Sequence, residues 1–136
     1  MNNQELTKKV HAAVANQISQ RGYTAPVDVL MEIGILTKQK YEEWRNGRVD
    51  YLERVCTSNL SKLSLAMHEI RSCAQKMGLK PSISQYRQWG WKGAKRPLRF
   101  SKSGNPGIEK WYATHFVDEK RVAALKAQQQ KAPEGE

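Results

Sequence analysis

Acidic residues are missing from one long stretch of this chain. Between Lys80 and Lys102 there are seven Lys and Arg side chains and no Asp or Glu. Long apolar runs are missing too. None approaches the ~18–20 residues that a membrane-crossing helix needs. The polar start MNNQELTKK lacks the apolar segment of a signal peptide, so the expected setting is cytoplasmic, with no membrane partner. Cysteine and histidine are scarce, at two and three residues. Cys56 and Cys73 fall on what reads as one helix, about 25 Å apart at ~1.5 Å rise per residue, too far for a disulfide. Both are expected to be reduced core residues. No histidine stands in ligand spacing with a cysteine, so neither a metal nor another cofactor is expected.

Catalytic patterns are absent as well. His11 and His68 stand alone on helices, and His115 has only Tyr112, three residues before it, on the same helical face. There is no nucleophile elbow, acidic pair or metal cluster, and the expectation is a protein that is not an enzyme.

What is present is positive charge. The 136 residues carry 23 Lys+Arg against 13 Asp+Glu, a formal charge of +10. The balance is +3 over residues 1–79 and +7 over residues 80–136. Such asymmetry bears on partners rather than on fold and favours nucleic acid or another anionic surface.

The length suits one domain of roughly 100–200 residues. Leu6, Val10, Ala13, Val14, Gln17 and Ile18 form one stripe of a first helix that stops at Gly22. Thr24 reads as the cap of a short second helix with Pro26 in its first turn. Thr37 reads as the cap of a third, KQKYEEWRN, which ends at Gly47. From Asp50, the positions Leu52, Cys56, Asn59, Leu63, Ala66, Ile70, Cys73 and Met77 repeat at 4-3 spacing. They predict a long central helix over 50–77, with Leu65 off its buried face. QWGWK and PLRFSK alternate apolar residues and predict a small β-hairpin near 87–102. Asn105 caps, Pro106 opens, and IEKWYATHF forms the last packed helix. The expected architecture is mainly α: about five helices around the long one in a single domain, 1–117. Residues 118–136 would be a solvated, partly disordered tail. A monomer or weak dimer is expected.

Two segments point to function. VDVLMEIGILTKQKYEEWRNGR has helix-turn-helix cadence and offers Lys38, Lys40, Arg45 and Arg48 as secondary backbone contacts. Its turn is one residue too long for the phage-repressor pattern, and Glu42 and Glu43 would face phosphates poorly. Three-helix corners of this sort are common as plain scaffolds, and that reading is preferred to one in which the helix reads DNA. The second segment, 86–116, reads YRQWGWKGAKRPLRFSKSGNPGIEKWYATHF. It combines cations for phosphates (Arg87, Lys92, Lys95, Arg96, Arg99, Lys102) with aromatic faces for bases, Trp91 among them. Strand alternation turns Leu98 and Phe100 inward and Arg99 and Ser101 outward, so most of the aromatics are structural and at most one Trp stacks a base. Ser103, Gly104 and Asn105 precede a helix start that would seat a phosphate on free N–H groups. The expected function is non-enzymatic nucleic-acid binding, DNA or RNA. The alternative is a protein–protein adaptor whose Trp-bearing basic face meets an acidic protein partner.

The phrases YEEWRNGRVDYLERV and LRFSKSGNPGIEKWYATHF resemble those of small bacterial proteins of uncharacterised function, over roughly residues 22–116. The resemblance implies a bacterial cytoplasmic setting and transfers no activity, ligand or catalytic residue.

Overall fold

The first helix forms where its apolar stripe and both of its end signals agree. Helix α1 runs Asn3–Arg21, and the Asn2 side chain accepts from the Glu5 N–H at 2.8 Å. The buried stripe is the predicted one, Leu6 through Ile18. Gln17 belongs to it because its amide is satisfied: its oxygen accepts from the Thr24 hydroxyl at 2.8 Å, and its nitrogen donates to Glu32 at 3.2 Å. Gly22 ends α1 at φ +80°, and a Cβ there would meet Val122 at 2.5 Å. Glycine is therefore required twice over.

The computed structural model describes residues 1–90 and 96–130. After α1 come β1 (Tyr23–Thr24), α2 (Pro26–Glu32) and α3 (Lys38–Arg45), then a 3-10 turn, Leu52–Val55, and α4 (Leu60–Lys76). The chain continues through β2 (Lys80–Ile83), α5 (Pro106–Ala113), β3 (Thr114–Val117) and α6 (Glu119–Gln130). The mainly helical class stands as expected. Among the described residues no helix is long and apolar enough to cross a membrane.

Several boundaries differ from the sequence reading. The central helix begins at Leu60, not Asp50. Thr57 is tied to the corner after α2, its N–H and hydroxyl both donating to the Ile35 carbonyl at 2.9 and 3.1 Å, which interrupts any helix through it. Asn59, read as a polar seam residue, is instead the cap, accepting from the Lys62 N–H at 2.9 Å. Cys56 thus lies outside the helix that carries Cys73. Both are half-buried free thiols, and burial pushes Cys56 up to about 12. Thr24 does not cap α2. That place belongs to Ala25, which has no side chain to offer, while Pro26 opens the helix as expected.

A three-stranded antiparallel sheet, in the order β1-β3-β2, closes the fold. Thr24 pairs with Phe116, and Lys80 through Ile83 pair with Val117 back to Thr114. The last packed helix therefore ends at Ala113, and THFV continues as a strand with alternate residues buried. Near 87–102 the expected pairing is one antiparallel bridge, Arg87 to Pro97. It is flanked by Gln88 N–H to Arg96 O at 3.0 Å and Leu98 N–H to Tyr86 O at 2.9 Å. Trp91, Lys92 and Lys95 lie outside the described residues. In the tail, α6 is anchored by its first turn, where Arg121 donates to the Ser19 carbonyl at 2.7 and 2.9 Å. Most of its residues beyond that turn are exposed.

Helix α4 packs along α1 and buries Leu63, Ala66, Met67, Ile70 and Ala74. Leu63→Asp places a charge in this face and is expected to cost more than roughly 4 kcal/mol, enough to unfold the domain. Leu65 lies half-buried beside the start of α1. Leu65→Asp is expected to cost about 1–2 kcal/mol. Urea denaturation of the two variants checks this, and equal losses would refute the face assignment.

Candidate functional site

Segment 86–89 docks on the end of α3. The Trp89 N–H donates to the Arg45 carbonyl at 2.7 Å, and the Gln88 amide reaches the Asn46 carbonyl at 3.4 Å. Gly47 makes this approach possible. It sits at φ +76°, and the Gln88 side chain fills the space a Cβ would need, at 2.5 Å. The expected α3 cations and the basic segment thereby become neighbours.

Arg45 is not a free phosphate contact. Its guanidinium lies over the rings of Trp89 and Tyr86, at 4.8 and 5.2 Å, with Tyr41 at 6.0 Å. Its Nε is buried with no hydrogen-bond acceptor among the described residues, so the π faces provide its stabilisation. Trp89 meets Tyr41 edge-on at 5.9 Å and remains 38% exposed. It shares a groove of about 380 Å³ with Lys38, Tyr41, Met31, Glu32 and Glu42. Lys38 and Arg48 are exposed. Lys40 is exposed too, but pairs with Glu43 at 3.2 Å. Trp44, three residues past Tyr41, is wholly buried. Trp44, Tyr86, Phe100 and Tyr112 lie in the core, and Trp89 keeps part of its ring in solvent; Trp111, expected to pack with the last helix, is 44% exposed.

The loop 99–105 is held by carboxylates. Glu109 accepts from the Phe100 N–H at 2.9 Å, and its other oxygen accepts from the Ser101 N–H and hydroxyl at 2.7 and 2.5 Å. Glu53 accepts from the Lys102 N–H at 2.9 Å and the Tyr112 hydroxyl at 2.7 Å. Burial, reinforced by Glu53, raises the Tyr112 pKa well above that of an ordinary phenol. Ser101, expected to face solvent, is buried for this reason. Arg99 is exposed, as assigned, but donates to the carbonyls of Ser101 and Lys102 and lies over the Tyr51 ring at 5.4 Å. It braces its own loop.

The start of α5 is also internally satisfied. Asn105 caps as expected, accepting from Gly107 and Ile108 at 2.9 and 3.3 Å, and its carbonyl accepts from Glu109. The Asn105 N–H goes to Ser103 Oγ at 3.2 Å and the Gly104 N–H to Ser101 Oγ at 3.1 Å. The N–H groups of this helix start, expected to seat a phosphate, already have acceptors within the chain. His115 does not share a helical face with Tyr112. In β3 it stacks on Tyr23 and meets the Tyr86 hydroxyl at 2.9 Å, and burial lowers its pKa.

Sequence reasoning missed Glu53 and Glu109. A signal existed. A backbone stretch without acids has to find acceptors elsewhere, and Glu109, in the first turn of the helix directly after the loop, was the nearest. Among the described residues no group of three or more His, Cys, Asp or Glu could hold a metal ion. No family model, no curated protein and no solved structure matches the chain.

Glu109→Ala leaves two backbone N–H groups and one hydroxyl without their acceptor. At ~1–3 kcal/mol for each buried group left unpaired, the expected loss is roughly 3 kcal/mol, with faster amide exchange at Phe100 and Ser101. Glu109→Gln should lose less, because one oxygen can still accept. Exchange rates by NMR test this. Unchanged protection at both amides in the alanine variant would remove Glu109 as the clamp.

Proposed function

We propose that this chain is a non-enzymatic, cytoplasmic nucleic-acid-binding protein that grips phosphates electrostatically and stacks a base on Trp89. One observation supports the reading above others. The basic segment docks on α3 through Trp89 and Gln88, so that a half-exposed indole stands in one groove with Lys38. Arg48 follows Gly47 at the docking point, and Arg87 and Arg96 lie at the bridge beside it. Lys92, Lys95 and Trp91 join the two arms of that bridge in sequence and belong to the same proposal.

The division of labour follows from chemistry. Cations neutralise phosphates and release condensed counterions, which gives affinity without reading sequence. An aromatic face accepts any base, which favours single-stranded or unpaired nucleotides over a rigid duplex. Glu32 and Glu42 in the Trp89 groove repel phosphate and leave the ring to a base edge, whose amino groups can donate to a carboxylate.

The test is binding to a single strand and a duplex across a salt series. Replacing Lys38, Arg48 and Arg96 with Gln should lower the slope of log K against log salt by about 2–3, at roughly 0.7–0.9 per phosphate contact. Trp89→Ala should weaken single-strand binding by about 1–3 kcal/mol and leave the slope nearly unchanged. Circular dichroism controls for folding. A folded triple variant with the wild-type slope would exclude these cations. If the wild type binds no nucleic acid at low salt, the reading falls and an acidic protein partner takes its place.

A further inference from the structure

A cavity of about 670 Å³ lies between α4, α5 and the 102–103 loop, away from Trp89. Leu60, Ser64, Met67 and Arg71 line it from α4, on the 4-3-4 spacing of one helical face. Trp111 and Ile108 from α5 face them, and Lys102 and Ser103 also contribute to the wall. Its size falls in the range of small-molecule sites, roughly 300–1,000 Å³. Two of the few large apolar side chains left in water, Leu60 at 54% and Trp111 at 44% exposure, both belong to it.

Arg71 is the unusual member. The Trp111 ring covers its guanidinium at 4.0 Å, and Nη1 is buried with no acceptor among the described residues. A desolvated N–H of a cation without an acceptor is costly and calls for an explanation. Burial also lowers its pKa. The nearby acid, Glu53, is no acceptor of Nη1; its oxygens accept instead from the Lys102 N–H and the Tyr112 hydroxyl.

We propose that this cavity binds a small organic monocarboxylate with an apolar body. Its carboxylate engages the Arg71 guanidinium, with Lys102 as the second cation. Its body lies against Leu60, Met67, Ile108 and Trp111. Two cations and one engaged acid suit a single negative charge better than a polyanion, and the apolar remainder of the wall requires a hydrophobic tail or ring. A planar carboxylate matches the guanidinium fork, and binding requires the side chain to turn Nη1 toward it. The inference rests on none of the contacts proposed at Trp89, so either one can fail alone.

The test is isothermal titration calorimetry of the full chain with octanoate and indole-3-acetate. Octanol, indole-3-acetamide and inorganic phosphate are the comparisons. At least one carboxylate is expected to saturate one site, at least about tenfold more tightly than its neutral counterpart or phosphate. Arg71→Gln should weaken it by about 10- to 100-fold, and Arg71→Lys by less. Ser64 is exposed in the cavity, so Ser64→Trp should fill the site and abolish binding in a folded protein even if Arg71→Gln fails to fold. The proposal is overturned by no saturable binding of either carboxylate, by equal binding of the neutral analogues, by tighter binding of phosphate, or by unchanged affinity in either variant.

Discussion

The indole N–H of Trp44 must find an acceptor inside the core, and it finds the Arg99 carbonyl at 2.8 Å. That contact joins α3 to a segment 55 residues away, and much of the rest depends on it. The same carbonyl accepts from the Leu52 N–H at 3.1 Å, and the next carbonyl, that of Phe100, accepts from the Glu53 N–H at 2.9 Å. The Phe100 ring then lies within 5.2 Å of both Trp44 and Tyr86 and stacks on Tyr112 at 5.5 Å. One irregular strand-like segment is thus held from one side by Trp44 and the 3-10 turn and from the other by Glu109. Such a segment has no ladder of its own, so nearly every polar backbone group needs a named partner.

Local signals carried the helices. The α1 stripe, the Thr37 and Asn105 caps and Pro26 and Pro106 at helix starts were all legible because each is decided within a few residues. The 50–77 helix misled because the 4-3 spacing continues across a break. Leu52 and Cys56 stand four apart on a 3-10 turn and its cap, and they fall in phase with α4 by accident. The run Thr57-Ser58-Asn59 was the contrary signal, since such side chains compete with helical bonding and favour caps.

The sheet was not legible, for a different reason. Strand β1 is two residues long, β2 is exposed at every position, and β3 extends an apolar spacing, Tyr112 to Phe116, that also suits a helix. Their stability comes from pairing partners up to 94 positions apart, Tyr23 with Val117, and no window of sequence contains that information. The candidate site divides in the same way. Which residues are basic was plain, but that Arg45 would be enclosed by aromatic rings and Arg99 would brace its own loop required the tertiary fold.

Folding an acid-free, basic segment poses two problems, and separate groups solve them. Its backbone needs acceptors and its cations need room. Glu53 and Glu109 answer the first at residues 100–102, where their charges also offset the nearby cations. At the other end, docking on α3 uses carbonyls, those of Arg45 and Asn46, which add no formal charge. The two ends are therefore held differently although the sequence between them is uniformly basic. The clamped end is fixed by carboxylates and closes the fold, and the docked end is fixed by backbone carbonyls beside a groove that Glu32 and Glu42 line. That is also the end at which Trp89 keeps part of its ring in water.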